Sequence, residues 1–410
     1  MYNGSVPTLA LISVTFFPHP VVAAIRPTAW ARLLSHHGWN VRVVCRHYGY
    51  DATAGEIEPV QVAYLDSPRA KPRQVTATGR SAPTLRRALV HLAPAVSAVF
   101  WARHRRRVAE LCADADAVLT TSPPHSIHEA GRWAAQKLGV PWVADFRDPY
   151  LIDPRYRPSG WGRILLPLHE RYERMIYTSA SAVLHAIPAQ TSYARERYPQ
   201  AAGRVHTVAN GYPPELGDTW RISPPATTET TILSVGVLCP HAAVLVARAI
   251  ASLHDSARVR LSLVGPVPET ADTIRQILGD RFVAHGPVEH RAALEHLSQG
   301  HILLSALTPE RSRYMGLSSR LYEYLATSRP VIALNPTIPD QQLLASMPRV
   351  QMLHAPTSSA VRAALERALS EPREPLPAPR LPVSYSRERQ VATLASILDA
   401  LIQRPRPSAR

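Results

Sequence analysis

Short apolar runs alternate along this chain with longer stretches in which apolar positions return every three or four residues, and the alternation occurs twice. In the first pass TLALISV (8–14), NVRVVCR (40–46), AVLTTS (117–122), PWVADF (141–146), SAVLHA (181–186) and RVHTVAN (204–210) are strand candidates. Between them AIRPTAWARLLSHHG (24–38) predicts a helix that its glycine stops, with further helices from about Ser126 to Leu138 and near 161–178. Strands that are apolar on both faces and separated by helices read as a parallel sheet covered on both sides.

The pattern begins again after NGYPPELGDTWRISPPATTET, whose prolines and turn residues mark an interdomain linker. TILSVG (231–236), RVRLSLVG (258–265), RFVAHG (281–286), HILLSA (301–306), PVIAL (330–334) and RVQMLH (349–354) are the second set of strands. A proline-rich turn from Pro375 precedes one last amphipathic helix, RERQVATLASILDALIQ, and a tail, RPRPSAR, expected to be disordered. The fold class that follows is α/β, two Rossmann-like doubly wound domains facing a cleft. The expected boundaries are 1–213 and 214–385, then a helix over 386–403 and a tail over 404–410. In open sheets of this kind ligands bind at the carboxyl ends of the strands, so each loop after a strand is a candidate wall of a site.

Length agrees with two or three domains. Charge changes the picture more: 46 Lys plus Arg against 31 Asp plus Glu give +15, and Lys71 and Lys137 are the only lysines. Guanidinium groups favour planar contacts to phosphate or carboxylate, which implies an acidic partner, an anionic membrane or a phosphate-bearing substrate. Cys45, Cys112 and Cys239 fit neither a zinc spacing nor a disulfide framework, so a reducing, cytoplasmic compartment is expected. The first twenty residues suit a buried strand better than a signal peptide, and no run is long and apolar enough to cross a membrane.

Candidate chemistry concentrates in GLSSRLYEYLATSRPVIAL (316–334). Serines stand at the start of a helix that follows a strand, where free N–H groups and the helix dipole favour a phosphate. Arg320 adds a cation, and Glu323 one turn on can accept from two vicinal hydroxyls. A nucleotide offers both partners, a diphosphate and a ribose. The plain alternative is a surface ion pair worth a few tenths of a kcal/mol.

This segment resembles the donor-site motif of GT-B glycosyltransferases of the glycosyltransferase family 4 type, with Arg320 where a lysine usually meets the donor diphosphate and Glu323 where a glutamate binds ribose. TTSPPHSIHEAGRWAAQKLGVPWVADFRDPY (120–150) is similar to another stretch of that family. It places His125 and His128 after one strand and Arg147 and Asp148 after the next; mutual pairing of Arg147 with Asp148, and plain packing for His128, are the alternatives. RVHTVANGYPPE (204–215) resembles the join between the family's domains, as hinge or as ligand contact. TILSVGVLCPHAAVLVARAI (231–250) resembles its first donor-side loop. There Gly236 permits close approach, but Val237 and Ala242 or Ala243 stand about where the family carries charges. FVAHGPVEHRAALEHLSQGHILLSAL (282–307) makes Val288 a nucleobase-side candidate. VTFFPHPVVAAIRPTAWARLLSHHGWNVRVV (14–44) resembles the N-terminal pattern, with Ala23 and Ala24 in place of a glycine pair, Arg26 matching an arginine, and His19 in the same loop.

The resemblance implies a glycosyltransferase that moves a sugar from a nucleotide-diphospho sugar to a hydroxyl acceptor, retaining and metal-independent, with the last helix crossing back to the first domain. Its catalytic candidates are Arg147, Asp148 and Arg320. The donor set is Gly236, Val288, Ser318, Ser319, Arg320, Leu321 and Glu323, with Arg313 as an auxiliary cation. The acceptor and sugar side is His19, Ala23, Ala24, Arg26, His125 and His128. No metal or other cofactor is expected and no nucleic acid; a catalytically inactive binding subunit and a sugar-nucleotide epimerase are the competing readings. Between Ser67 and Ala109 lie ten Arg and Lys and no carboxylate, around an apolar centre. That segment reads as a peripheral contact with an anionic membrane at its inner face, suited to a lipid-linked acceptor, or as a core helix with a solvated basic end.

Overall fold

The computed structural model describes residues 6–19, 21–46, 59–65, 93–151, 160–213, 227–288, 290–307, 319–336, 341–371 and 383–403. The chain divides into two compact units, one of residues 1–210 with 387–410, the other of residues 211–386.

The first unit holds a seven-stranded parallel sheet in the order β3-β2-β1-β4-β5-β6-β7. Its strands are β1 (Thr8–Ser13), β2 (Asn40–Cys45), β3 (Gln61–Tyr64), β4 (Ala117–Ser122), β5 (Trp142–Phe146), β6 (Ala182–His185) and β7 (Val205–Thr207). Because successive side chains point to opposite faces, β1 delivers Leu9 and Leu11 to one core and Ala10 and Ile12 to the other. On the first face lie α1 (Val22–Leu34) and the final helix. On the second lie α2 (Ala93–Leu111), α3 (Ile127–Leu138), α4 (Leu166–Ser179) and α5 (Pro188–Arg197). α1 runs into a 3-10 turn closed by Gly38 at φ 77°, the stop that its glycine predicts.

The second unit holds a six-stranded parallel sheet, β10-β9-β8-β11-β12-β13. Its strands are β8 (Thr230–Val235), β9 (Val259–Val264), β10 (Phe282–Gly286), β11 (Ile302–Ala306), β12 (Val331–Leu334) and β13 (Val350–Leu353). α6 (Pro240–Ala251), α7 (Ala271–Leu278) and α11 (Ser358–Ser370) cover one face. α8 (His290–Leu297), α9 (Ser319–Ala326) and α10 (Gln341–Ser346) cover the other. Arg329, just past α9, donates to the carbonyls of Leu297, Ser298 and Gly300 and so caps the end of α8; burial pulls its guanidinium down to about 10.

Both sheets are parallel and both reverse strand order once, between β1 and β4 and between β8 and β11, which is the doubly wound arrangement. The last helix, α12 (Arg387–Ile402), belongs to the first unit: Val391, Leu394 and Leu398 join the α1 core, and Trp39 Nε1 donates to Asp399 at 3.0 Å. β3 and α5 carry no strong periodicity and were not predicted. β7 is shorter than RVHTVAN: it ends at Thr207, with one further backbone bond from the Val208 N–H to His185 O at 2.9 Å.

Candidate functional site

In the second unit the carboxyl edge opens where β8 and β11 part. β8 stays paired with β9 as far as Val235 and Val264, whereas its register with β11 ends at Leu233 and Leu303. α9 supplies partners to the strand end so released. The Val235 N–H donates to Tyr324 Oη at 2.6 Å, and Arg320 Nη1 donates to the carbonyls of Val235 at 2.9 Å and Val237 at 2.7 Å. Residues four apart share a helix face, so this helix grips the β8 loop through one side. Arg320 therefore faces the switch point of the sheet and Glu323 is 4% exposed, which removes the surface ion-pair reading. Leu321 is buried among core side chains, so only its backbone in the first helical turn can meet a ligand. Ser319 opens α9; Ser318 and Arg313 lie outside the described residues.

The neighbouring strand ends keep backbone groups close together. Gly236 (φ 88°) donates to Val264 O at 2.6 Å, and Gly265 (φ 134°) donates to Gly286 O at 2.8 Å. A Cβ on Gly265 would lie 2.8 Å from the Gly236 carbonyl, so only glycine fits there. Val237 and Val288 are exposed beside this edge. Ala242 and Ala243, by contrast, are packed on the inner face of α6; they cannot stand where a diphosphate charge would, and that alignment is corrected.

In the first unit the sequence-derived residues separate into a buried brace and a reachable edge. Arg26 is 4% exposed and Asp145 fully buried, and they form a two-pronged ion pair: Nε to Oδ2 at 3.1 Å and Nη2 to Oδ1 at 2.9 Å. Arg26 also donates to Asn210 Oδ1 at 3.1 Å and Val208 O at 2.7 Å, its guanidinium lies 4.0 Å over the Trp30 ring, and Thr121 Oγ1 donates to Asp145 at 2.7 Å. Such a saturated arginine joins α1, β5 and the end of β7 and does not reach for sugar hydroxyls; its assignment to the acceptor side is corrected. Ala23 and Ala24 sit in the first turn of α1 with ordinary negative φ, so alanine in place of a glycine pair costs no backbone strain there.

Arg147 has a local cause. Pro27 within α1 has no N–H to give the Ala23 carbonyl four residues back, and Arg147 Nη1 donates to that carbonyl at 3.0 Å instead. Its other nitrogen lies 3.7 Å from Asp148, and both side chains remain partly exposed. Arg147, Asp148 and the start of α1 thus share the edge formed by the ends of β1 and β5. His19, half-buried in the loop after β1, is lowered in pKa by burial.

His128 is inside the protein. Ser122 Oγ donates to Asp145 O at 3.2 Å, so it accepts from His125 Nδ1 at 3.0 Å and His128 Nε2 at 3.1 Å. Thr120 Oγ1 accepts a hydrogen bond from Trp142 Nε1 at 2.9 Å and is hydrogen-bonded to His128 Nδ1, also at 2.9 Å. Burial, with the nearby His185, lowers the His128 pKa to about 3, so the ring is neutral. The packing alternative therefore holds for His128, and contact with substrate is corrected. Gly131 makes this possible, since a Cβ there would lie 2.3 Å from Thr120 Cγ2. His125 is also buried, its ring 4.4 Å from Tyr150.

A pH dependence follows. His185, hydrogen-bonded to Tyr177 at 2.8 Å, is likewise lowered to about 3 by burial. For both, the unfolded chain binds a proton below about pH 6.5 and the folded chain does not. Their stabilisation is complete above pH 6.5 and falls as pH drops toward 3, each losing about 1.4 kcal/mol by pH 5.5. Urea midpoints measured from pH 7.5 to 5.5 should fall accordingly, and flat midpoints would show that both rings accept protons in place.

Sequence reasoning missed Asp145, Tyr324 and Ser122. Asp145 lies one residue from the predicted end of a strand candidate, and only its position inside that strand could have marked it as buried.

Comparison with known proteins agrees with this architecture. The family model described as "Glycosyl transferase 4-like domain" matches residues 23–211, and that described as "Glycosyl transferases group 1" matches residues 229–370. No curated protein matches the chain by sequence. Among solved structures, a glycosyltransferase from Rickettsia africae ESF-5 superposes with a TM-score of 0.63 at 13% identity, covering 98% of this chain and 100% of that one. Anabaena Alr3699/HepE in complex with UDP and glucose superposes with a TM-score of 0.61 at 14% identity, covering 96% and 100%. WaaG, a glycosyltransferase involved in lipopolysaccharide biosynthesis, gives 0.55 at 14% identity, covering 96% and 97%. With two matching models that together take in most of both units, and a doubly wound sheet in each, the chain belongs to the GT-B glycosyltransferases of the glycosyltransferase 4-like type.

Proposed function

We propose that the chain transfers a sugar from a nucleotide-diphospho sugar to a hydroxyl acceptor with retention of configuration and without a metal ion. The observation that carries this reading is the grip of α9 on the β8 loop. Arg320, anchored on the Val235 and Val237 carbonyls, and the first N–H groups of α9 converge on the glycine-lined carboxyl edge of the second sheet. A diphosphate there meets a cation and free amides, and Glu323 takes the ribose hydroxyls. The Anabaena neighbour binds UDP-glucose, which supports a uridine donor as the first one to test.

In this mechanism negative charge grows on the departing diphosphate as the glycosidic bond breaks. Arg320 and the α9 amides stabilise it, more in the transition state than in the ground state. The leaving phosphate oxygen takes the acceptor proton on the face that the new bond uses, and Arg147 and Asp148 orient the acceptor. His19 lines the acceptor side, with His125 buried behind that edge, and a glycan, a lipid-linked sugar or a small molecule would serve as acceptor. The setting proposed is cytoplasmic, with the protein peripheral at the inner membrane face; among the described residues no helix is long and apolar enough to cross a membrane.

Calorimetry with UDP-, GDP- and dTDP-sugars tests the donor half. One nucleotide series should bind at micromolar to millimolar concentrations, and a folded sample that binds none would sink the reading. Donor isomerised without acceptor would instead support an epimerase, and binding without turnover an inactive subunit. The anomeric configuration of the product, read by NMR, decides retention.

A further inference from the structure

The basic segment between Ser67 and Ala109 carries the membrane expectation only in part. Residues 66–92 lie outside the described residues, and in the described half of α2 the apolar side faces inward. Trp101, Val108 and Cys112 are buried in the core while Arg103, Arg105, Arg106 and Arg107 are exposed. Over residues 101–111, where its side chains are described, that helix offers charge to a surface and no large apolar group to insert.

The opposite balance occurs at the start of α4. Ile164 is 84% exposed and Leu168 59%, and Pro167 between them is exposed too. Ile164 lies near the end of the 3-10 turn Gly160–Leu165 that runs into α4, Pro167 and Leu168 follow in the first turn of α4, and Arg163, Arg171 and Arg174 stand exposed nearby. The acidic residues of this helix are engaged elsewhere: Glu170 lies 3.4 Å from Arg197, and Glu173 is buried under Tyr198 and the Leu151 N–H. A water-exposed pair of branched aliphatic side chains, flanked by arginines with no carboxylate partner among the described residues, matches the anatomy of an interfacial anchor.

We propose that the exposed face formed by the 3-10 turn Gly160–Leu165 and the start of α4, centred on Ile164 and Leu168 and flanked by Arg163, Arg171 and Arg174, docks on an anionic phospholipid bilayer. The aliphatic side chains enter the acyl boundary while the arginines meet lipid phosphates. Charge complementarity selects this occupant: three guanidinium groups at the rim suit a surface of fixed negative charge. The inner face of the same helix reaches the candidate acceptor edge. Tyr172 Oη donates to the His125 carbonyl at 3.0 Å, and His169 is bonded to Tyr150 at 2.7 Å. A lipid-linked acceptor lying in that bilayer would enter beside His125. This consequence rests on the proposed transfer; the docking itself does not.

Flotation of the full chain with phosphatidylglycerol–phosphatidylcholine vesicles, and with phosphatidylcholine alone, is the test. The expected result is binding to the anionic vesicles that weakens with salt. Loss should be at least tenfold in I164D/L168D and about fivefold for each of R163E and R171E. Circular dichroism and thermal melting establish that the variants fold, and I164A/L168A provides a milder pair should the aspartates disturb packing. Wild-type chain that ignores anionic vesicles, or an I164D/L168D variant that binds them unchanged, overturns the proposal. A wild-type dimer that L168D dissociates assigns the face to a second copy and overturns it as well. Nucleotide-sugar calorimetry on the same variants separates the two readings: unchanged donor binding with lost flotation supports docking independently of transfer.

Discussion

Glu323→Ala should lower nucleotide-sugar affinity about a hundredfold, or about 2.7 kcal/mol, if its carboxylate accepts two hydroxyl hydrogen bonds. The residue is 4% exposed on an eight-residue helix whose first turn also presents Arg320. Ribose hydroxyls are donors, and an ionised carboxylate is an acceptor with two oxygens. Arg320→Ala should weaken binding similarly, through the lost cation and through release of the Val235 and Val237 carbonyls it holds. The two variants are distinguishable. Glu323→Ala should weaken a nucleoside as much as a nucleotide sugar, whereas Arg320→Ala should spare the nucleoside and weaken ligands with a diphosphate. Titration calorimetry on both reads this out, with circular dichroism as the check on folding. Unchanged affinity in both would remove the donor site from α9.

Asp145→Ala should destabilise the first unit by about 3–5 kcal/mol, because it leaves the buried Arg26 guanidinium without its counter-charge. The pair is held by two short hydrogen bonds at side-chain exposures of 3% and 0%, and Thr121 adds a third bond to the carboxylate. Arg26→Leu combined with Asp145→Leu removes both charges and should recover much of the loss, since apolar replacements of a buried pair are often tolerated. Urea unfolding of the single and double variants gives both numbers. If Asp145→Ala loses less than about 1 kcal/mol, the brace is solvated in solution and Arg26 becomes available to ligands again.

The two sheets were legible because each strand is a run of aliphatic residues apolar on both faces, and a parallel sheet buried on both sides has no other way to look. β3 escaped because it is a short edge strand with half-buried positions, and α5 because its polar surface leaves little periodic signal. The α9 segment stood out as a candidate for another reason: Ser, Arg and Glu at helical spacing after a strand combine phosphate chemistry with a known place in the fold. His128 was ambiguous from sequence, since a histidine on a helix reads alike whether it faces solvent or the Thr120 and Ser122 hydroxyls.

Sequence alone determined the two α/β units, the helix that follows β11, and a chain whose positive charge is nearly all arginine. These are periodicity and composition, which need no neighbours to be read. Tertiary structure decided which side chains remain for chemistry. It committed Arg26 to Asp145, drew Arg147 to the carbonyl that Pro27 leaves open, and set Arg320 and Tyr324 on the β8 end where β11 departs. Each partner is far away along the chain, and the requirement that a buried donor, acceptor or charge be satisfied acts only once folding has brought them together.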